Sequence, residues 1–109
     1  MSETCDILIA GGAIMGSSLA FWLSRDPGFS GRIVVVECDP TYARAASSLS
    51  HSSIRQQFGQ PVNIAISQFA AEFIHDFRDL MEDDEAPEVM LQSFGYLYLA
   101  DMPQFAAHL

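Results

Sequence analysis

The chain contains no lysine, and its five arginines stand against fourteen acids, a formal charge of −9 over 109 residues. A balance of this sign repels polyphosphate backbones and argues against nucleic acid as a partner. Any bound phosphate must then be held by backbone N–H groups, hydroxyls and a few arginines. Cysteine is scarce as well: Cys5 and Cys38 resemble neither a disulfide framework nor a metal site. Both are expected to be free thiols, at opposite ends of a sheet, as in a reducing, cytoplasmic setting. No basic residue precedes Ile7, where MSETCD carries only acids, so the n-region of a secretory leader is missing. Internal repeats are absent too.

A long hydrophobic run is also wanting. Residues Ile7 to Leu23, ILIAGGAIMGSSLAFWL, make seventeen uncharged positions, whereas a bilayer span needs about 20 apolar residues. The stretch does contain Gly12-Ala13-Ile14-Met15-Gly16, a GxxxG spacing that would let two membrane helices approach closely. A second apolar run decides the matter. Arg32 to Glu37, RIVVVE, is β-branched and bounded by Gly31 and Asp39-Pro40, too short for a helix and expected to be a buried strand. Asp6 to Ala10 has the same look and ends at Gly-Gly. Between them, Ile14 to Arg25 carries helical spacing and stops at Ser24-Arg25-Asp26-Pro27-Gly28. Strand, glycine turn, helix and strand within about 30 residues make a βαβ unit. That reading accounts for both runs, so no membrane span is expected.

The rest of the chain is half apolar in the same way, 50% overall with 11% aromatic residues, as a packed domain requires. Thr41 to Arg55, TYARAASSLSHSSIR, has five serines and reads locally as a polar loop. Pro61 to Asp84 places Ile66, Phe69, Ala70, Phe73, Ile74, Phe77, Leu80 and Met81 on one stripe, predicting one long amphipathic helix with a core-facing side. The run Glu82-Asp83-Asp84-Glu85 reads as a solvated helix end, not a metal site. Glu88 to Ser93 and Tyr96 to Ala100 look like two strands joined at Phe94-Gly95, and QFAAHL begins a helical pattern that has no stop signal.

The chemistry concentrates in the turn. A dinucleotide-binding βαβ unit sets a pyrophosphate against the helix N-terminus, where backbone N–H groups and the helix dipole neutralise it without lysine. The pattern G-x-G-x-x-G reads here as Gly11-Gly12-Ala13-Ile14-Met15-Gly16, with Ala13 in place of the middle glycine. If that position needs positive φ, the extra methyl costs about 1 kcal/mol. Glu37 ends the second strand 21 positions after Gly16, where an acid accepts hydrogen bonds from the adenosine ribose. Its charge would repel a 2′-phosphate, which favours FAD or NAD over NADP.

Three stretches carry a wider resemblance: DILIAGGAIMGSSLAFWLSR, VVVECDPTYARAASSLSHSSIRQQFGQPVNIAISQFAAEFI and FGYLYLAD. They resemble the N-terminus of FAD-dependent oxidoreductases of the D-amino-acid oxidase and sarcosine oxidase type, from Asp6 to about Asp101. The resemblance implies that FAD is the cofactor, with Ser47 and Ser48 along it. Ser50-His51-Ser52-Ser53-Ile54-Arg55 is similar to the family's S-H-G-x-x-R, with Ser52 where the pattern often has glycine. That similarity implies that His51 and Arg55 lie at the flavin edge, where a fixed cation favours the anionic reduced ring.

The fold expected is α/β: a Rossmann-like FAD/NAD(P)-binding domain made of an N-terminal βαβ unit, a long helix and the start of an antiparallel region, incomplete in this chain. Residues 1–93 would form the N-terminal part of the FAD-binding domain and 94–109 the beginning of the substrate-domain region. The implied activity is oxidation of the C–N bond of a small-molecule amine or amino acid by hydride transfer to FAD, with no turnover by this chain alone. An NAD-dependent dehydrogenase sharing only the βαβ unit remains an alternative. So does a catalytically inactive piece that serves only in an interaction.

Overall fold

A computed structural model of the chain describes residues 4–99, 101 and 103–106, in two units, Met1–Ser53 and Ile54–Leu109. In the first, β1 (Ile7–Ala10), α1 (Ile14–Arg25) and β2 (Ile33–Val36) form the predicted βαβ arrangement within a residue at each boundary. The strands are parallel, with Ile7 opposite Ile33 and Ala10 opposite Val36. Both ends of the ladder are extended: the Asp6 and Ile7 amides donate to the Arg32 carbonyl, and the Gly11 amide donates to the Val36 carbonyl at 2.7 Å. The Asp6 carboxylate also accepts from the Arg32 amide at 2.7 Å. Cys5 and Cys38, flanking these strands at opposite ends, are free and exposed.

Both strands were expected to be buried, and the structure corrects this. Ile9 is buried, but Leu8 is 61% exposed, and Val35 and Val36 are exposed. In β1 alternation explains it, because successive side chains point to opposite faces and α1 packs on the face where Ile9 lies beneath Gly16; in β2 the adjacent Val35 and Val36 are both exposed and do not alternate. The helix stops where the sequence says it should. Asp26 turns the chain by accepting the Gly28 amide on its side chain and the Phe29 amide on its carbonyl, and the Arg25 guanidinium sits 4.6 Å over the Phe21 ring.

The second unit begins its helices at Pro61, as expected, but the single helix to Asp84 is divided. Its parts are α2 (Pro61–His75) and α3 (Phe77–Met81). Asp76 lies between them at φ −96°, ψ 14°, near the bridge region. As a poor helix former it accepts from the His75 ring at 2.8 Å. Helical hydrogen bonds meet at the joint: the Asp76 amide donates to the Glu72 carbonyl and the Leu80 amide to the Asp76 carbonyl. Glu82 then closes α3 in the left-handed region at φ 54°.

The predicted stripe exists: the Phe69, Phe73 and Phe77 rings succeed one another at 6.3 and 6.1 Å. It is not the closed core that was expected, since no residue of α2 or α3 is buried and Ile66 and Phe69 are exposed. Among the described elements of this unit, only α3, its direct continuation, packs on α2. A stripe buries only against a second surface. Ala86 is buried under the turn after α3, where its carbonyl accepts from the Arg78 Nε at 3.1 Å.

Residues 88–99 carry no strand, which corrects the two predicted here; Ala100 lies outside the described residues. The alternation itself is present, with the Tyr96 and Tyr98 rings stacked at 6.2 Å. A strand is defined by its ladder, and among the described residues no partner segment supplies one. A last helix, α4 (Pro103–Ala106), begins where the helical pattern was read.

Candidate cofactor site

The site is built on the connection from β1 to α1. Gly11 leaves the strand with φ 99°, a conformation open to glycine. Gly16 lies two residues into α1, where a Cβ would run into the Gly11 carbonyl oxygen and come within 3.1 Å of Ile9. The turn is tight because both glycines let the helix start against the strand end. Ala13, standing in place of the middle glycine, has φ −67° and ψ −170°. This is extended backbone, so the methyl carries no left-handed penalty.

Ala13 is also the N-cap of α1, and it supplies no side-chain cap; the first turn holds no acid. The leading amides of a helix have no partner within it, and here no side chain of the helix caps them. An uncapped helix end carrying partial positive charge is suited to an anion. Ser17 braces the turn by donating its hydroxyl to the Gly12 carbonyl.

Glu37, one residue past β2, reaches back to this turn. Its Oε2 accepts the Gly12 amide at 2.7 Å, while its Oε1 accepts the Asp39 amide at 2.9 Å and the Cys38 thiol at 3.4 Å. The Asp39 amide first and the Gly12 amide second hold this carboxyl below the usual carboxylate range. Each carboxylate oxygen has two lone-pair positions, so Oε2 keeps one for a further donor such as a ribose hydroxyl.

The serine-rich segment is a folded loop and not a plain linker. Asp39 accepts the Thr41 amide and hydroxyl on its side chain and the Tyr42 amide on its carbonyl. The Ala45 amide then donates to Tyr42, the Leu49 amide to Ala45, and the Ser50 amide and hydroxyl to the Ser47 carbonyl. This succession of turns returns the loop to α1. Gly12, Ala13, Ile14, Ser17, Tyr42, Ser47 and Ser48 thereby line an open cleft of about 330 Å³.

Of the residues singled out from the sequence, Gly12, Ala13, Ile14, Ser47 and Ser48 meet in this cleft. Gly11 and Gly16 shape the turn to which Gly12 and Ala13 belong, and Glu37 accepts the Gly12 amide. Met15 is on the first turn of α1 and 82% exposed. Ser50 and His51 lie beyond the lining, both exposed. Ser52 has φ 50°, in the left-handed region that favours glycine. Arg55 belongs to the second unit, where its guanidinium sits 4.7 Å over the Phe58 ring.

Two lining residues were missed. Ser17 could have been found as the hydroxyl directly after Gly16, on the first turn of α1. Tyr42 had only an indirect signal, the Asp-Pro-Thr turn that aims it.

A parallel strand pair, a glycine turn with an uncapped helix behind it and an acid at the second strand end define a dinucleotide-binding βαβ unit. Residues 6–109 match the family described as DAO, FAD dependent oxidoreductase, and the chain belongs to that family, whose cofactor is FAD. It is 40% identical over 102 residues to the FAD-dependent oxidoreductase domain-containing protein 1 of Xenopus laevis, covering 90% of this chain and 20% of that one. The Bos taurus protein of the same name is 42% identical over 102 residues, covering 90% and 21%. The Drosophila melanogaster homolog is 42% identical over 96 residues, covering 88% and 18%. The chain thus spans about a fifth of the length of these relatives. No solved structure matches it. Among the described residues, no helix is long and apolar enough to cross a membrane.

Proposed function

We propose that this chain supplies the adenosine and pyrophosphate end of the FAD site in an oxidoreductase that oxidises the C–N bond of a small amine or amino acid. The uncapped N-terminus of α1, opening into a cleft lined by serine hydroxyls, is the observation that carries the reading. FAD, when bound, supplies the acceptor for the hydride that leaves the substrate carbon.

The chain's own residues have separable tasks. The amides at the start of α1 neutralise phosphate charge that a lysine-free chain cannot meet with ammonium groups. Glu37 accepts from the ribose hydroxyls on its remaining lone pair and disfavours a 2′-phosphate. Ser47 and Ser48 donate along the cofactor. Ser50, His51 and Arg55 are assigned to the flavin end on the family pattern, with Arg55 a fixed cation. Family membership favours this reading over the NAD-dependent alternative.

Purification and an absorption spectrum test the assignment. A flavin band that stays with the protein is expected; the absence of a band together with measurable NAD affinity would sink it. The amine or amino-acid class is tested on a full-length relative, whose flavin-loaded form is mixed anaerobically with a panel of amines and amino acids. Bleaching of the band is expected with at least one of them.

A further inference from the structure

We propose that Tyr42 is a FAD-binding residue whose phenolic hydroxyl donates to the cofactor's pyrophosphate. The proposal rests on the assignment of the cleft to FAD. Three observations carry it. First, Tyr42 lines the cleft together with Gly12, Ala13, Ser17, Ser47 and Ser48, and its hydroxyl lies 3.0 Å from the point where a Cβ on Gly12 would stand. The phenol therefore sits over the glycine turn itself, beside the helix end that faces the phosphates.

Second, the supply of donors there is short. The Gly11 amide is spent on Val36, the Gly12 amide on Glu37 and the Ser17 hydroxyl on the Gly12 carbonyl. The chain has no lysine. A pyrophosphate set against α1 then draws on the first helical amides and on whatever hydroxyls reach the turn. The Tyr42 hydroxyl is one of these, since it bonds nothing among the described residues.

Third, the position of the ring is enforced. Tyr42 holds φ 55°, which a residue with a Cβ rarely adopts. The hydrogen bonds of its own amide to Asp39 and of the Ala45 amide to its carbonyl keep it there. Strain maintained by surrounding bonds is characteristic of ligand clamps. Here it fixes the backbone from which the ring reaches Gly12.

The test is the affinity of the apoprotein for FAD, measured by flavin fluorescence, and for ADP, measured by displacement of FAD. ADP keeps the adenosine and the pyrophosphate and lacks the flavin. Tyr42→Phe keeps the ring and removes the donor, so FAD and ADP should both weaken about tenfold, the loss of one hydrogen bond to a charged group. Tyr42→Ala should weaken both at least as much. Tyr42→Phe binding FAD and ADP as tightly as wild type would overturn the proposal while leaving the flavin reading intact. So would a loss confined to FAD, which would locate the contact beyond the pyrophosphate. A wild-type protein that takes up no FAD would overturn the flavin reading, and this proposal with it.

Discussion

The units Met1–Ser53 and Ile54–Leu109 are of similar length and comparably apolar, yet they are held together in different ways. In the first, bonds join residues far apart in sequence: the Gly11 amide to Val36, the Gly12 amide to Glu37, the Arg32 amide to Asp6. In the second, the side-chain bonds described are local, such as His75 to Asp76 and Arg78 to Ala86, and its Phe69, Phe73 and Phe77 rings succeed one another along one helical stripe. The first unit is a turn fixed from both sides of a sheet. The second consists of helices whose apolar side remains open. Long-range bonds confer the precision that a binding turn needs, whereas a half-buried stripe confers stability alone.

Substitutions probe this contrast, and the largest effect is expected at Gly16. A Cβ there runs into the Gly11 carbonyl oxygen, backbone that cannot step aside, so Gly16→Ala should cost about 3 kcal/mol. It should also abolish FAD uptake, as measured by thermal unfolding and flavin fluorescence. Retained uptake would mean that the turn is not the rigid element described.

Next comes the other unit. Phe73 is half-buried between the Phe69 and Phe77 rings, and Phe73→Ala should lower stability by about 1–2 kcal/mol. The dissociation constant for FAD should stay within about twofold, because RT ln 2 is only about 0.4 kcal/mol. A parallel loss of affinity would break the distinction between the binding turn and the helical stripe.

A smaller effect comes from titration. The Asp39 and Gly12 amides depress the pKa of Glu37. The bonds to the ionised carboxylate therefore contribute in full above the ordinary carboxylate range and are lost as pH falls through the lowered value. FAD affinity in the wild type should be flat through neutral pH and fall only at strongly acid pH. Glu37→Gln should weaken binding at neutral pH, measured by the same fluorescence titration across pH. A wild-type midpoint above the ordinary carboxylate range would contradict the bonding described.

The smallest effect is expected at Ala13. Its φ of −67° suits alanine as well as glycine, so Ala13→Gly should leave FAD affinity within about twofold, a few tenths of a kcal/mol. A large gain would show that the methyl does intrude on the phosphates.

Much of the first unit was legible because its signals are local. The β-branched run Ile33–Val36 and the stop at Asp26-Pro27-Gly28 each act within a few residues, and the acid at Glu37 is found by its spacing from the glycine turn. The motif reading placed Ala13 as the weak point, but the position that requires positive φ proved to be Gly11. A glycine pattern records where space is needed, not which residue turns. In the second unit the period of the stripe was readable and its interruption at Asp76 was not, since one helix-poor residue seldom decides an axis. The strands read at 88–99 failed for a different reason: alternation is a property of the segment, whereas a strand also needs a partner.

The sequence by itself therefore determined the order strand, turn, helix, strand, the cofactor class suited to a lysine-free phosphate site, and the acid at the second strand end. Only the tertiary structure decided what that acid does at rest, with one oxygen on Gly12 and the other on Asp39. It alone brought Tyr42, Ser47 and Ser48 to the same turn as Ala13 and Ser17. The physical reason is that residue type and spacing set local backbone preference. A cleft, by contrast, is closed by bonds between segments some 25 positions apart, and no local pattern encodes their meeting.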